Sequence, residues 1–172
     1  MQEKQTMRPF EFIKSTGVKI TWEIIREGWQ GPADLIRIIT IEDVHDMADR
    51  EILKANEEEL EVLSELSLSK NELDIGELLS HLAPAISSKA KRIWIAALLH
   101  SKLANLGTEY FHGLIELTDF WLQFDFPEDS PHIVQGRGNN ISPQDYYTAE
   151  NFHKILELHK QWLQSEIDQL AK

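Results

Sequence analysis

Apolar residues recur along this chain at the spacing of α-helices, and the clearest case is its last segment. Between residues 147 and 170, one predicted helical face carries Phe152, Ile155, Leu156, His159, Trp162, Leu163 and Ile167. Residues 93–99 are apolar on every side, which is typical of a central, buried helix. No segment alternates apolar and polar residues as a half-buried strand does. The pattern predicts an all-α fold, an irregular bundle of six or seven helices.

Residues that favour helix ends mark several boundaries along the chain. Thr21 and Asn56 are predicted N-caps, each followed by acidic residues in the first turn, and a break is expected near Thr40. Gly107 is expected to end the apolar helix, and Thr108 to cap the next one. The predicted inward stripe of that next helix is Tyr110, Phe111, Leu114, Ile115, Thr118, Trp121 and Leu122. No repeat, low-complexity tract or linker interrupts the pattern, so one helical domain over residues 1–172 is predicted.

Residues 124–147, FDFPEDSPHIVQGRGNNISPQDYY, fit neither a helix nor a strand. Structureless loops longer than ~12–15 residues are uncommon in compact domains and are usually functional or disordered. Apolar residues can fix this one on the helices: Phe124, Phe126, Ile133, Val134, Ile141, Tyr146 and Tyr147. We therefore predict a long ordered loop before the C-terminal helix. It serves either as a structural cover or as a recognition surface formed by Asp125, Glu128, Asp129, Asp145, Tyr146 and Tyr147.

The net charge of −12 narrows the choice of partner. Residues 41–61 alone hold nine carboxylates against two basic side chains, a net charge of −7. Such a surface repels phosphates and anionic membranes, and it attracts basic proteins over long range. We expect a basic protein partner, and we expect neither nucleic acid nor membrane to bind directly.

The acidic run NEEELE has a local explanation as well as a functional one. Asn56 and Glu59 have the spacing of a capping box, and glutamates in a first turn stabilise a helix by ~0.3–1 kcal/mol each. The same run supplies Glu57, Glu58 and Glu61 as candidate partner-binding residues. The oligomeric state does not follow from any of these patterns.

Metal and cofactor chemistry find little support in the sequence. The Glu-x-x-His spacing of di-iron helical bundles occurs three times, at Glu42 and His45, Glu109 and His112, and Glu150 and His153. All three pairs fall on polar helix faces, so we predict no metal site and no cofactor. The chain has no cysteine, which excludes a thiolate zinc site and a cysteine nucleophile.

No catalytic residue can be assigned, and the chain is expected not to be an enzyme. Phosphate-binding glycine loops and nucleophile-elbow motifs are absent. The alternative is a small helical enzyme with a pocket containing His159 or His100. Nothing in the sequence resembles a signal peptide or a membrane span of ~20 apolar residues, so a cytoplasmic location is expected.

Three segments resemble a bacterial family known as domain of unknown function 2247. They are ITWEIIREGWQGPADLI, RIWIAALLH and WLQFDFPEDSPHIV, followed by a long terminal helix, and the resemblance covers about Ile20 to Leu170. Its most specific part is Phe124 to Asp129, whereas QGRGNN departs from the family pattern. Members resemble proteins encoded beside secreted polymorphic toxins. The resemblance therefore implies an immunity protein that neutralises a toxin domain, and the acidic charge favours a basic, nuclease-type toxin.

Overall fold

The computed structural model describes residues 7–170, and within them the chain is helical with no strand. The elements are α1 (Pro9–Ser15), α2 (Trp22–Gln30), a 3₁₀ helix (Pro32–Asp34), α3 (Ile41–Ile52), α4 (Glu57–Leu68), α5 (Glu72–Leu82), α6 (Ser88–Asn105), α7 (Tyr110–Gln123), α8 (Pro143–Tyr146) and α9 (Ala149–Leu170). The all-α prediction is confirmed. The sequence pattern missed α1 and α8, which are too short to show helical periodicity.

The described residues divide into two compact units. One contains those of Met1–Gly17 and Ile95–Lys172, and the other is Val18–Trp94, so the division falls inside α6. The single domain expected from the sequence stays a prediction. No helix in the part of the chain that the structure describes is long and apolar enough to cross a membrane.

In the unit Val18–Trp94, side chains begin the helices where the sequence predicts. The hydroxyl of Thr21 accepts a hydrogen bond from the amide of Ile24, and Asn56 forms a capping box with Glu59. The predicted break near Thr40 is the start of α3, where Thr40 forms a second capping box. Gly31 ends α2 with φ of +90°, a conformation that favours glycine.

This unit packs α2 on α5, α3 on α4, and α4 on α5. Trp94 is fully buried, and its indole N–H donates to the carbonyl of Ile24 at 2.8 Å. Gly28 of α2 leaves room for the Trp94 ring and for Ile39. Trp94 thus packs directly on α2, and α5 packs on both α2 and α4.

In the other unit, α7 packs against α9. Leu114, Leu117, Phe152 and Ile155 form a buried cluster with Tyr146 of α8. Trp121 is fully buried and meets Trp162 edge to face, with 5.3 Å between ring centroids. The predicted stripe of α9 is confirmed at the buried residues Phe152, Ile155, His159 and Leu163.

For α7, the predicted N-cap is wrong and the predicted inward stripe is only partly right. Its N-cap is Glu109 rather than Thr108, because the Glu109 carboxylate accepts hydrogen bonds from the amides of Phe111 and His112. From the predicted stripe, Leu114 and Trp121 are buried, but Tyr110, Phe111 and Leu122 are exposed. The other buried residues of α7 are Gly113, Leu117 and Phe120. The inward face is turned by about one residue, or about 100°, because α7 packs through Gly113 against the Phe152 ring.

Candidate functional site

A groove of about 400 Å³ lies between α4 and α5. Glu61 and Glu65 line it from α4, and Asp74, Glu77 and His81 line it from α5. Val62 and Leu78 contribute half-buried apolar surface to the same groove. The groove therefore combines four carboxylates, one histidine and two aliphatic side chains.

Helical spacing explains why these carboxylates share one surface. Glu61 and Glu65 are four residues apart, and Asp74 and Glu77 are three apart, so each pair projects from one helix face. Other faces of the same two helices carry Leu63, Leu66, Ile75 and Leu79, all buried. Burial of these leucines and Ile75 holds the two acidic faces beside each other.

The groove has a strong and unbalanced charge. Its lining includes no lysine and no arginine, and within residues 7–170 none of its four carboxylates forms a salt bridge. Like charges held together raise the free energy of the unbound surface, and a cation entering the groove lowers it. The arrangement suits basic side chains of a partner, with Val62 and Leu78 available to contact their aliphatic stems.

The structure separates the three candidate residues predicted on α4. Glu61 lines the groove, whereas Glu57 and Glu58 are exposed in the first turn of the helix. The capping box beside them is confirmed. Asn56 Oδ1 accepts from the backbone N–H of Glu59 at 2.9 Å, and the Glu59 carboxylate accepts from the backbone N–H of Asn56 at 3.4 Å.

The loop after α7 begins with a sharp reversal of the chain. Asp125 and Phe126 both have positive φ, +56° and +46°, and the amide of Phe126 donates to the carbonyl of Trp121 at 3.0 Å. Ser142 then caps α8, so the irregular part is residues 124–142. We refer to these residues as the 124–142 loop.

Asn139 organises the tip of the 124–142 loop through its side-chain amide. Its Oδ1 accepts from the amides of Gly136 and Ile141, and its Nδ2 donates to the carbonyls of Val134 and Arg137. The Arg137 guanidinium lies 4.4 Å from the centre of the Phe126 ring. The QGRGNN segment is thus a hydrogen-bonded turn closed by its own residues.

The predicted recognition residues in this region take different places. Asp125, Glu128, Asp129 and Asp145 are exposed, as expected for a recognition surface. Asp145 also has a local role, since its carboxylate accepts from the Ser142 hydroxyl at 2.6 Å. Tyr147 is half-buried, with its ring 4.8 Å from that of the exposed Phe111.

Tyr146 requires a correction. The sequence predicts it both as an apolar anchor and as a partner-binding residue. The anchor is confirmed and the partner contact is wrong, because its side chain is 1% exposed and its hydroxyl donates to the Ile133 carbonyl at 2.7 Å. The ring belongs to the buried cluster of α7 and α9, where it fixes α8 and the end of the 124–142 loop. Tyr146 is therefore an anchor of the fold rather than a surface contact.

Two histidines meet inside the unit that contains α7 and α9. His159 Nε2 accepts from the indole N–H of Trp121 at 2.8 Å, and its Nδ1 donates to the Ile155 carbonyl at 2.7 Å. His132, from the 124–142 loop, packs edge to face on His159 with 5.4 Å between ring centroids. Burial lowers the pKa of His159 to about 4 and that of His132 to about 3, and the charge of His159 adds to the effect on His132.

The other histidines singled out in the sequence have local contacts. His100 stacks on Phe12 with 4.0 Å between ring centroids, and burial lowers its pKa. In the three Glu-x-x-His pairs, His45 Nε2 contacts the Ser69 carbonyl, His112 Nδ1 contacts Glu109, and His153 Nδ1 contacts the Ala149 carbonyl. Among residues 7–170, no three potential metal ligands stand together.

Sequence reasoning missed most of the groove and one of the two buried histidines. Glu65 follows the predicted Glu61 by one turn, which was a usable signal. Asp74, Glu77 and His81 enter only through the packing of α4 on α5, which periodicity does not specify. His132 lies in a loop, where no periodicity indicates burial. The groove and the 124–142 loop belong to different compact units.

Comparison with known proteins gives a family. The family model described as "Uncharacterized protein conserved in bacteria (DUF2247)" matches residues 10–167. No curated protein and no solved structure matches the chain. The family match covers nearly the whole chain and confirms the family named from the three sequence segments. The chain belongs to the DUF2247 family.

Proposed function

We propose that this protein is a cytosolic immunity protein that binds a basic, nuclease-type toxin domain through the α4–α5 groove and thereby blocks it. The observation that carries the proposal is the groove itself, whose lining includes Glu61, Glu65, Asp74 and Glu77 but no lysine or arginine. A nuclease holds its substrate through lysine and arginine side chains that contact the phosphates. The carboxylates of the groove compete with the phosphates for those cationic side chains.

The ends of the helices next to the groove add apolar contact area. Leu68 follows Glu65 by three residues and Leu73 precedes Glu77 by four, and both leucine side chains are 78% exposed. Exposed apolar residues beside a charged groove supply the desolvated contacts that stable interfaces need in addition to charge. The expected contact set on this unit is therefore the groove with Leu68 and Leu73.

The alternative is a small enzyme with a pocket containing His159 or His100, and neither of these residues lines the groove. Both ring nitrogens of His159 are engaged by Trp121 and Ile155, and the ring is fully buried. The groove histidine, His81, lies among carboxylates but has no nucleophilic side chain in the lining. Binding is the function that this surface supports best.

The test compares two variants that remove equal charge. Glu61→Gln with Glu77→Gln neutralises the groove, and Asp46→Asn with Asp49→Asn neutralises two exposed carboxylates of α3. The partner in this test is a basic nuclease-type toxin domain, to be sought first in the neighbourhood of the gene, and association is followed at several salt concentrations. Since steering depends on local charge, the groove variant should associate about tenfold or more slowly, with a weaker dependence on salt. The α3 variant should stay within about twofold of wild type.

Wild-type association by the groove variant would contradict this proposal. Loss of binding in Asp125→Asn with Glu128→Gln, and not in the groove variant, would instead assign binding to the 124–142 loop.

A further inference from the structure

His132 is an unusual residue for an exposed loop, because its side chain is buried in the core beneath it. The ring is 8% exposed and packs against His159 of α9, which is fully buried. Its Nε2 lies 2.8 Å from the Thr118 hydroxyl of α7. The side chain therefore fastens the middle of the 124–142 loop to both long helices of its unit.

The hydrogen bonds around His132 suit a neutral ring. The Thr118 hydroxyl lies 2.9 Å from the Leu114 carbonyl, and a hydroxyl that donates its single proton there accepts from Nε2–H of a neutral His132. Within the part of the chain that the structure describes, His132 Nδ1 has no hydrogen-bond partner. A second ring proton would be a buried, unsatisfied donor on a cation, which is costly in an apolar site.

His159 cannot relieve that cost. The Trp121 indole N–H can only donate, so it occupies the lone pair of His159 Nε2. The Nδ1–H of His159 donates to the Ile155 carbonyl. A protonated His132 would thus face the edge of a neutral imidazole that has no free acceptor.

Other titratable groups on the neighbouring segments are engaged or exposed. On α7, Glu116 forms a salt bridge with Lys102, and Asp119 is exposed. On α9, Lys160 forms a salt bridge with Glu157. The buried Glu166 lies two turns beyond His159 and has a contact of its own. Glu128, Asp129 and Asp145 are exposed, and burial raises the pKa of Tyr146. None of these groups is hydrogen-bonded to His132 in the described residues.

We propose that His132 is a proton-sensitive latch that holds the 124–142 loop on α7 and α9 and releases it on acidification. In the closed state the ring is neutral and buried. In the open state it is solvated and free to take up a proton. The latch is a property of the fold and does not depend on the proposed immunity function.

The direction and size of the effect follow from the two pKa values. The pKa of His132 is about 3 with the loop closed and has its ordinary value of about 6.5 when the ring is solvated. Because only the open state takes up the proton above pH 3, the opening equilibrium rises up to about tenfold for each pH unit below 6.5. Between pH 7 and pH 5 the loop should open about 25-fold more often.

Hydrogen exchange of backbone amides measures that opening. Inside the 124–142 loop, the Phe126 amide donates to the Trp121 carbonyl and the Ile141 amide to Asn139 Oδ1, and both report on the loop. The Leu117 amide inside α7 reports on the helix core. Protection factors, corrected for the pH dependence of exchange itself, should fall about 25-fold at the loop amides from pH 7 to pH 5. The protection factor of the Leu117 amide should exceed those of the loop amides at both pH values.

The matched variants are His132→Gln, which keeps a donor for Thr118 but cannot be protonated, and His153→Gln on the exposed face of α9. We expect the pH dependence at the loop amides to vanish in the first and to persist in the second. Equal pH dependence in His132→Gln and wild type would overturn the latch.

A direct titration of the His132 ring in the wild-type protein by NMR makes the test independent of the variants. The ring should stay neutral down to about pH 4, since its pKa is about 3. An ordinary titration near pH 6.5 would also overturn the proposal.

Discussion

Gly28 and Gly76 are both helical glycines of the same unit, but their surroundings differ. A side chain at Gly28 would meet the Trp94 ring and Ile39, whereas one at Gly76 would lie 3.5 Å from the Trp29 indole nitrogen, an ordinary contact. The missing side chain of Gly28 is thus part of the packing of Trp94. At Gly76 the absence of a side chain only lowers helix propensity.

Alanine at these two positions should therefore change stability in opposite directions. Gly28→Ala overpacks the core, and we expect the free energy of unfolding to fall by about 1–3 kcal/mol. Gly76→Ala should raise it by up to about 1 kcal/mol, because alanine is the better helix former. Denaturant unfolding measures both changes. A gain of stability in Gly28→Ala would show that Trp94 does not need this space.

At the scale of the helix, the acidic residues of α4 occupy two different places. Asn56 and Glu59 satisfy amides at its N-terminus, whereas Glu61 and Glu65 project into the groove. The acidic run is therefore two features in one stretch of sequence. The first stabilises the helix, and the second is available to a partner.

Removing the cap should affect stability alone. Asn56→Ala leaves the first-turn amides without their side-chain acceptor, and it should lower the free energy of unfolding by about 0.5–2 kcal/mol. Glu57→Ala, next to it, should change that free energy by only a few tenths of a kcal/mol. Thermal unfolding measures both. If Asn56→Ala slowed association with the toxin domain as much as the groove variant does, the first turn would belong to the binding surface.

What the sequence could predict depended on the range of the interactions. The N-caps Thr21 and Asn56 act within one helical turn, so local spacing was enough to find them. The inward face of α7 is set by Gly113 against Phe152, residues 39 positions apart in the chain, and large side chains alone suggested a different face. Predicting the groove would have required knowing that α5 packs on α4. Predicting the burial of His132 would have required knowing the path of an irregular loop.

At the scale of the whole molecule, the two buried histidines make stability depend on pH. The pKa of His159 is about 4 and that of His132 about 3 in the folded protein, both lowered by burial from an ordinary value of about 6.5. The unfolded chain takes up both protons below pH 6.5, while the folded protein does not. Stability is therefore complete above pH 6.5 and is lost as the pH falls toward these folded values.

The expected loss is about 1.4 kcal/mol for each histidine and each pH unit below 6.5. Glu27, whose pKa is raised by burial, opposes the trend, because its protonation favours the folded state. The melting temperature should fall from pH 7 to pH 5, and His132→Gln should show a smaller slope than wild type, with His159 and His100 accounting for the rest of the histidine effect. A melting temperature independent of pH over this range would mean that the histidines are solvated.

Neutralisation of a basic toxin domain by the acidic groove is the function that we propose, and inhibition of the toxin tests it most directly. The purified toxin domain is titrated with wild-type protein and with Glu61→Gln, Glu77→Gln, while cleavage of nucleic acid is measured. We expect the wild-type protein to abolish cleavage at a one-to-one ratio and the groove variant to need an excess of about tenfold or more. Full inhibition by both proteins at the same ratio, or by neither, would contradict the account.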